Sequence, residues 1–238
     1  MTKSHLLFIL AMLVSISGFG QKRTYATTAF ETILSFANVD DKGRKEGSII
    51  RYAPVFNIQG LFNADVNKNV GFFIGMAFRN VGYIYDHYET PTLPVATYKK
   101  KFRSYNLGVP AGIKIGNLDG TFFYAGYEVE VPVHYKEKTF DGGDKTDKIT
   151  GWFSDRQELF QHGFLAGMEF PYGLNLKFKY YLSEFHNQNF TDGAGMKPYA
   201  GLKSNIFYFS VSVVLFRNLK YYPDKPDKSI KTIEVNSI

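Results

Sequence analysis

Residues Gly120–His134 read GTFFYAGYEVEVPVH, and two glutamates stand in this otherwise aromatic and aliphatic stretch. Apolar side chains occupy every second position from Phe123 to Val133, whereas Glu128 and Glu130 fall on the other face. A period of two predicts a β-strand with two chemically different faces. The face that lies inside the protein determines whether this strand belongs to a soluble sheet or to a sheet surrounded by lipid.

The same alternation recurs along the chain, and we find no sustained helical period and no tandem repeat. Period-two segments of this kind, separated by turn residues, indicate an all-β protein. We therefore predict eight strands. They span Ala29–Asn38, Ile49–Phe62, Val70–Tyr85, Lys101–Ile115, Gly120–His134, Leu159–Phe170, Leu174–Ser183 and Asn205–Phe216.

The connections between these strands alternate between short and long. The short ones are NADVNKN, GNLDG and PYG, and the long ones, such as DHYETPTLPVATYKK and EFHNQNFTDGAGMKPYAGLK, are polar. An up-and-down transmembrane β-barrel of the outer membrane has short periplasmic turns and long external loops. The loop lengths therefore predict an eight-stranded antiparallel barrel of this kind.

The two faces of the strands differ in the bulk of their side chains. One face is almost entirely Phe, Leu, Ile, Val and Tyr, and the other combines Gly, Ala, Ser and Asn with charged residues. The interior of an eight-stranded barrel is only just wide enough for side chains. Bulky rows from every strand would overfill it, so we predict that they face lipid. A soluble secreted β-barrel is the alternative.

The charged residues on the other face are predicted to form a lumen charge network that closes the barrel. Buried charges are tolerated when they are paired and hydrogen-bonded. We expect Lys114 to lie near Glu128 or Glu130, and Glu169 to lie near Lys177 or Lys179. A filled lumen argues against a pore. The full predicted network is Arg51, Arg79, Lys114, Glu128, Glu130, Glu169, Lys177 and Lys179.

The N-terminus has the features of a secretory signal peptide. Lys3 precedes an apolar run that ends in small residues before Gln21, so residues 1–20 are predicted to be removed on export. The barrel is then expected over residues 21–217, and residues 218–238 are expected to form a flexible periplasmic tail. The chain contains no cysteine, which excludes disulfides and thiol chemistry.

Composition excludes several classes of function. The formal net charge is +6, but 28 basic residues are interspersed with 22 acidic ones, so no nucleic-acid partner is expected. The acidic runs DDKGRKEG and DGGDKTDK do not complete a calcium loop. GIKIGNLDG lacks the strand-to-helix context of a nucleotide site. We therefore predict no cofactor and no metal site.

Several stretches of the sequence resemble a known family. The signal ending FGQ, the strands YNLGVPAGIKIG and GLNLKFKYYLSEF, and the closing strand NIFYFSVSVVLF are similar to small outer-membrane barrels of Gram-negative bacteria, particularly the PorT-like class. The resemblance implies a structural, adhesion or secretion-accessory protein of the outer membrane that acts through its loops or tail. It also implies contact with the barrel-assembly machinery, for which Phe216 would be the terminal aromatic residue.

An enzyme acting on lipopolysaccharide is the other hypothesis. His87, His134, His162 and His186 all fall near predicted external strand ends, and strand parity directs His134 toward the lumen and His162 and His186 outward. The stretch FHNQN faintly resembles the His-x-Ser motif of lipid A deacylases, with His186 as general base. Gln188 replaces the nucleophilic serine, so this mechanism would need Ser183 or Ser204 nearby. We therefore predict that the protein is not an enzyme.

The sequence KKKFR is a candidate contact surface for lipopolysaccharide. Its cations Lys99, Lys100, Lys101 and Arg103 lie near the predicted outer end of a strand, where they either bind phosphates or form a solvated rim. Trp152, the single tryptophan, is predicted to contact a partner or to anchor the longest loop.

Overall fold

The computed structural model describes residues 23–90 and 93–221, so the predicted signal peptide and most of the predicted tail lie outside the described residues. Within these ranges the regular structure is β-strand apart from one short 3-10 turn at Pro171–Gly173. No helix among the described residues has the length and hydropathy of a membrane span. The strands are β1 (Arg23–Asp41), β2 (Arg44–Gly47), β3 (Arg51–Ala53), β4 (Ile58–Asp65), β5 (Val70–Thr90), β6 (Leu93–Gly116), β7 (Phe122–Asp141), β8 (Asp144–Trp152), β9 (Gln161–Glu169), β10 (Leu174–Tyr181) and β11 (Leu202–Tyr221).

Eight of these strands form a closed antiparallel ring in the order β1, β4, β5, β6, β7, β9, β10 and β11. β11 closes the ring on β1, with a register that runs from Arg23 opposite Tyr221 to Asp41 opposite Leu202. The predicted eight-stranded antiparallel all-β fold is therefore confirmed. β11 also continues to Tyr221, four residues into the segment predicted as a tail.

Three of the four predicted external loops are largely strands, which corrects the sequence interpretation, whereas the fourth, between β10 and β11, is irregular. β5 and β6 pair along almost their whole length, and β7 and β8 form a hairpin that turns at Gly142 and Gly143. Both glycines have positive φ, which allows the tight turn. β5, β6, β7 and β8 thus continue outward as one sheet, which we call the outer extension. Their polar composition made these segments look like loops.

The predicted second strand is interrupted. β3 pairs with β1 at Ile33–Ser35, and β4 pairs with β1 below it, but the four residues 54–57 leave the sheet. Phe56 adopts a positive φ of 63°, which a continuous strand would not contain.

The outward face of the ring carries an apolar belt. On β6, Leu107 and Ile115 mark its two edges, and eight residues at about 3.3 Å each give roughly 26 Å along the tilted strand. Soluble monomers rarely expose a continuous apolar surface of this size, whereas a bilayer requires one. The alternative of a soluble barrel is therefore not supported. The belt includes Phe30, Phe62, Phe72, Ile74, Leu107, Val109, Ile113, Ile115, Phe123, Val129, Phe164, Leu174, Leu176, Phe178, Phe209, Val211 and Val213.

The interior has two layers, and only one was predicted. The layer nearer the turn between β9 and β10 is polar and charged. The layer at the outer end is aromatic, contrary to the expectation that bulky side chains all face lipid. This layer is filled by inward-facing side chains of the outer extension and by side chains of the link between β10 and β11. Its largest members are Tyr83, Tyr85, Tyr88, Phe102, Tyr135, Tyr181, Phe185, Tyr199 and Tyr208.

Candidate functional site

The centre of the lumen contains a buried arginine held by two carboxylates. Arg79 on β5 lies 2.7 Å from Glu31 on β1 and 3.3 Å from Glu128 on β7, and all three side chains are almost completely buried. Arg79 also donates a hydrogen bond to Gln59 Oε1 at 3.0 Å. Glu31 was missed from the sequence because the polar face of the first strand offered only one charged residue.

Two lysines of β10 complete this network. Lys177 donates to Glu31 Oε1 at 2.6 Å, and Lys179 donates to Glu128 Oε2 at 2.6 Å and to Glu130 Oε1 at 2.5 Å. Tyr181 adds a hydroxyl hydrogen bond to Glu130. Three cations and three carboxylates therefore balance in charge across the lumen, as a buried network requires.

A second, smaller cluster lies at the opposite end of the lumen from the aromatic layer. Lys114 donates to Asp65 Oδ1 at 2.6 Å and to Tyr25 Oη at 2.9 Å, and Arg23 lies 2.8 Å from Asp65. The predicted pairing of Lys114 with Glu128 or Glu130 is wrong. In the β6–β7 register Lys114 is opposite Tyr124, and Glu128 is four residues farther along.

Strand register places Glu169 beside β10, the strand that carries its predicted partners. Glu169 is opposite Asn175 in the β9–β10 register, at the end of both strands. Lys177 and Lys179 lie farther along β10, where they reach across the lumen to Glu31 and Glu128. The ion pairs of these two lysines thus cross the narrow barrel, which the sequence interpretation did not include.

Arg51 is buried but stands apart from the charge network. Its guanidinium donates to the backbone carbonyl of Asn80 and to the Asn80 side chain, which places it in the gap between β3 and β5. Among the described residues it forms no ion pair with a carboxylate.

The aromatic layer encloses His186, which the sequence directed outward. Its Nε2 lies 2.8 Å from Tyr83 Oη, and its ring stacks on Tyr199 with centroids 4.5 Å apart. The parity argument failed because β10 ends at Tyr181 and the link to β11 folds back into the barrel mouth. Burial lowers the pKa of His186 to about 3, against the opposite influence of Glu137.

Glu137 is a buried carboxylate beside this histidine. Tyr199 donates to its Oε2 at 2.6 Å and Tyr135 at 2.8 Å, and Lys100 forms an ion pair with Oε1. Burial alone would raise the pKa of Glu137, but Lys100 and the two tyrosine hydrogen bonds lower it. The prediction that Lys100 contacts lipopolysaccharide is therefore wrong, because its side chain points inward.

The other three histidines in the described part of the chain occupy different environments. His87 is exposed and pairs with Glu46, and His162 contacts the Tyr127 hydroxyl. His134 lies on the outer surface against Trp152, with ring centroids 4.8 Å apart. It was predicted to face the lumen, but β7 is irregular between Pro132 and His134, which reverses the parity.

The arrangement does not assemble the deacylase-like site. His186 and Ser204 are fully buried, Gln188 donates to Glu184, and Ser183 Oγ accepts a hydrogen bond from the His162 backbone. Among the described residues no group of three or more metal-ligating side chains converges. The polar groups of the interior form hydrogen bonds and ion pairs with one another, and no described cleft gives a lipid ester access to His186.

No protein-family model and no curated protein matches the chain. Solved structures of similar fold include Ail, the attachment invasion locus protein of Yersinia pestis, in complex with the heparin analogue sucrose octasulfate (TM-score 0.39, 12% identity, 82% of this chain and 98% of Ail). They also include Neisserial surface protein A (0.33, 13%, 80% and 96%) and the outer membrane protein OprG from Pseudomonas aeruginosa (0.37, 8%, 84% and 97%).

Proposed function

We propose that this chain is a non-enzymatic, non-conducting barrel of the Gram-negative outer membrane that acts through its outer extension and loops. Its interior carries the proposal. Paired charges fill the centre, and aromatic side chains fill the outer end, with Arg79, Lys179, Phe102 and Tyr199 almost completely buried. A lumen filled in this way has no route for ions or substrates.

The outer extension supports a role in contact with a partner or with the cell surface. β8 is exposed along its length and pairs only with β7 among the described strands. A structural, adhesion or secretion-accessory protein could contact its partner through such a projecting surface. Membership of the PorT-like class, export through a cleaved signal peptide and assembly by the barrel-assembly machinery are part of the same proposal and rest on the sequence.

Planar bilayer recording tests the closed lumen. We expect the refolded barrel to show no stepwise conductance, with a large porin in the same bilayer as the positive control. Stable ohmic steps from the purified protein would contradict the proposal. Recovery in the outer-membrane fraction, with slower or faster gel migration after boiling, tests the location, and a soluble periplasmic product would contradict it.

Shortening the β7–β8 hairpin tests the role of the extension. Residues 138–148 are replaced by Asn-Gly, which leaves the barrel wall intact, and the variant is returned to cells that lack the protein. We expect the barrel to assemble but the cells to keep the phenotype of the deletion. Full complementation by the shortened protein would show that the extension is dispensable.

A further inference from the structure

The outward side of the outer extension carries a cluster of cations, which we call the basic face: Lys101, Arg103, Lys136, Lys138 and Lys148. Lys101 and Arg103 point outward because Phe102 and Ser104, the residues that follow them on β6, are fully buried. Three of the five residues lie outside KKKFR, so the sequence alone showed only part of this surface.

Strand register aligns these cations in two rows. Lys101 on β6 is directly opposite Lys138 on β7, and Lys138 is opposite Lys148 on β8. In the next row Arg103 is opposite Lys136. Directly opposite residues are about 5 Å apart, and like charges at such positions destabilise a sheet. Repulsion among these cations therefore destabilises the sheet at this face.

No carboxylate among the described residues offsets this repulsion by pairing with the cations. None of the five cations forms an ion pair with a described residue. Burial, and then Lys138 and the other neighbouring cations, lower the pKa of Lys136, and burial with Lys99 and Lys138 lowers that of Lys101. An anion from outside the chain would relieve this repulsion.

The cations also line a groove with a definite shape. Its volume is about 220 Å³, and the buried Arg51 contributes to its wall. Tyr52, Ile84 and Phe102 provide the apolar part of the lining. A groove of guanidinium and ammonium groups beside apolar surface is suited to a phosphate attached to a lipid.

The position of the groove relative to the apolar belt indicates which kind of molecule would carry the phosphate. On β6 the outward residues are Leu107 at the edge of the apolar belt, then Tyr105, then Arg103 and Lys101. Arg103 is four residues beyond Leu107, which is about 13 Å along the tilted strand. Tyr105, His134 and Trp152 form an aromatic border between them, as is usual at a membrane interface.

We propose that the basic face and its groove bind the phosphate groups on the sugar headgroup of an outer-leaflet glycolipid, lipid A. This deepens the proposed function and rests on its outer-membrane location. Arg51, Arg103 and Lys136 hold the phosphate at the floor of the groove, and Lys101, Lys138 and Lys148 neutralise the remaining charge. The acyl chains lie along the apolar belt below.

Titration with defined lipids tests the proposal. The refolded barrel in detergent with EDTA is titrated with bisphosphorylated lipid A and with the same lipid after phosphate removal, and bound lipid is counted by native mass spectrometry. We expect the phosphorylated lipid to bind at least about tenfold more tightly. Equal binding of the two lipids overturns the proposal. Inorganic phosphate is the third probe, and binding as tight as that of lipid A would overturn the glycolipid assignment.

A charge-matched pair of variants locates the site. The test variant carries Lys101→Gln, Arg103→Gln, Lys136→Gln and Lys138→Gln, and the control carries Lys42→Gln, Lys45→Gln, Lys197→Gln and Lys203→Gln at exposed positions elsewhere. We expect about tenfold weaker binding of lipid A by the test variant alone. Equal affinity in both variants overturns the proposal.

Gel migration before and after boiling checks that each variant is folded. If the fourfold variant does not fold, the double variant Lys101→Gln with Lys138→Gln replaces it, with a severalfold loss expected and an unchanged affinity overturning the proposal. Failure of the proposed function would instead appear as conductance or as a location outside the outer membrane. The titration in detergent depends neither on conductance nor on the location of the protein in the cell. Failure of the lipid A proposal can therefore be distinguished from failure of the proposed function.

Discussion

Lys179 Nζ lies 2.6 Å from Glu128 Oε2 in the middle of the lumen, and neither side chain has any exposed surface. The same ammonium reaches Glu130, so one cation bridges two carboxylates that come from a single strand. The glutamates of GYEVEVP are therefore held by β10 across the barrel. This contact joins strands that are not neighbours in the ring and stiffens the wall.

Replacement of Lys179 should destabilise the barrel. Lys179→Met leaves Glu128 and Glu130 with unbalanced buried charge, and we expect a loss of about 3–5 kcal/mol in the free energy of unfolding. Urea unfolding of the refolded barrel in lipid vesicles measures this loss. Lys203→Met, at an exposed position on β11, is the matched control and should change stability by less than about 0.5 kcal/mol. A loss below about 1 kcal/mol for Lys179→Met would contradict the network's role.

Stability should decrease as the pH falls from about 6.5 toward 3. The folded state holds His186 neutral, with a pKa near 3, whereas an unfolded chain protonates this histidine near its ordinary value of 6.5. The unfolded state therefore binds more protons in this window, and stability decreases by up to about 1.4 kcal/mol per pH unit. Unfolding measured at several pH values should show a shallower slope for His186→Gln. His87→Gln removes an exposed histidine and should keep the wild-type slope; equal slopes in all three proteins would refute the assignment.

A glycine on β9 should be intolerant of a side chain. A Cβ added at Gly167 would lie 2.3 Å from the hydroxyl oxygen of Tyr124, because the Tyr124 ring covers this glycine. The same hydroxyl donates a hydrogen bond to Asn175. Gly167→Val should destabilise the barrel by about 1–3 kcal/mol, because the Tyr124 ring must move. The midpoint of heat-induced unfolding on gels measures it. Gly60→Val is the control, since nothing lies within 4 Å of a Cβ at Gly60. Equal tolerance of both substitutions would contradict the packing argument.

The single tryptophan should report the border of the membrane. Trp152 is exposed and packs on His134 beyond the apolar belt, so its fluorescence should be quenched most by lipids brominated close to the headgroup. The comparison protein carries Trp152→Phe and Phe178→Trp, which moves the fluorophore to the belt. Its emission should be quenched most by bromine in the middle of the acyl chains. Mid-chain quenching of Trp152 would place the border of the membrane elsewhere.

Much of the ring could be predicted because each strand carries its own evidence. Alternation along β6 and β10 distinguishes a lipid face from a lumen face without knowledge of any other strand. The outer extension could not be predicted in this way. β8 is exposed on both faces, so its sequence has no apolar alternation, and only its pairing with β7 makes it a strand.

The candidate sites were predictable as residue types but not as pairs. Lys114, Lys177 and Lys179 were recognisable as inward-facing cations, yet their ion pairs with Asp65, Glu31 and Glu128 were not predicted. The contacts depend on the stagger of the strands and on the width of the lumen. Neither quantity is encoded in the period of a single segment.

The sequence by itself determined that bulky apolar residues face outward and charged residues face inward over the belt, because the period of two is a local property of each strand. Tertiary structure decided the rest. It turned His134 outward through an irregularity in β7 and enclosed His186 through a link that folds into the barrel mouth. It also aligned lysines of β6, β7 and β8 into one basic face, because ring closure and register bring together residues that are distant along the chain.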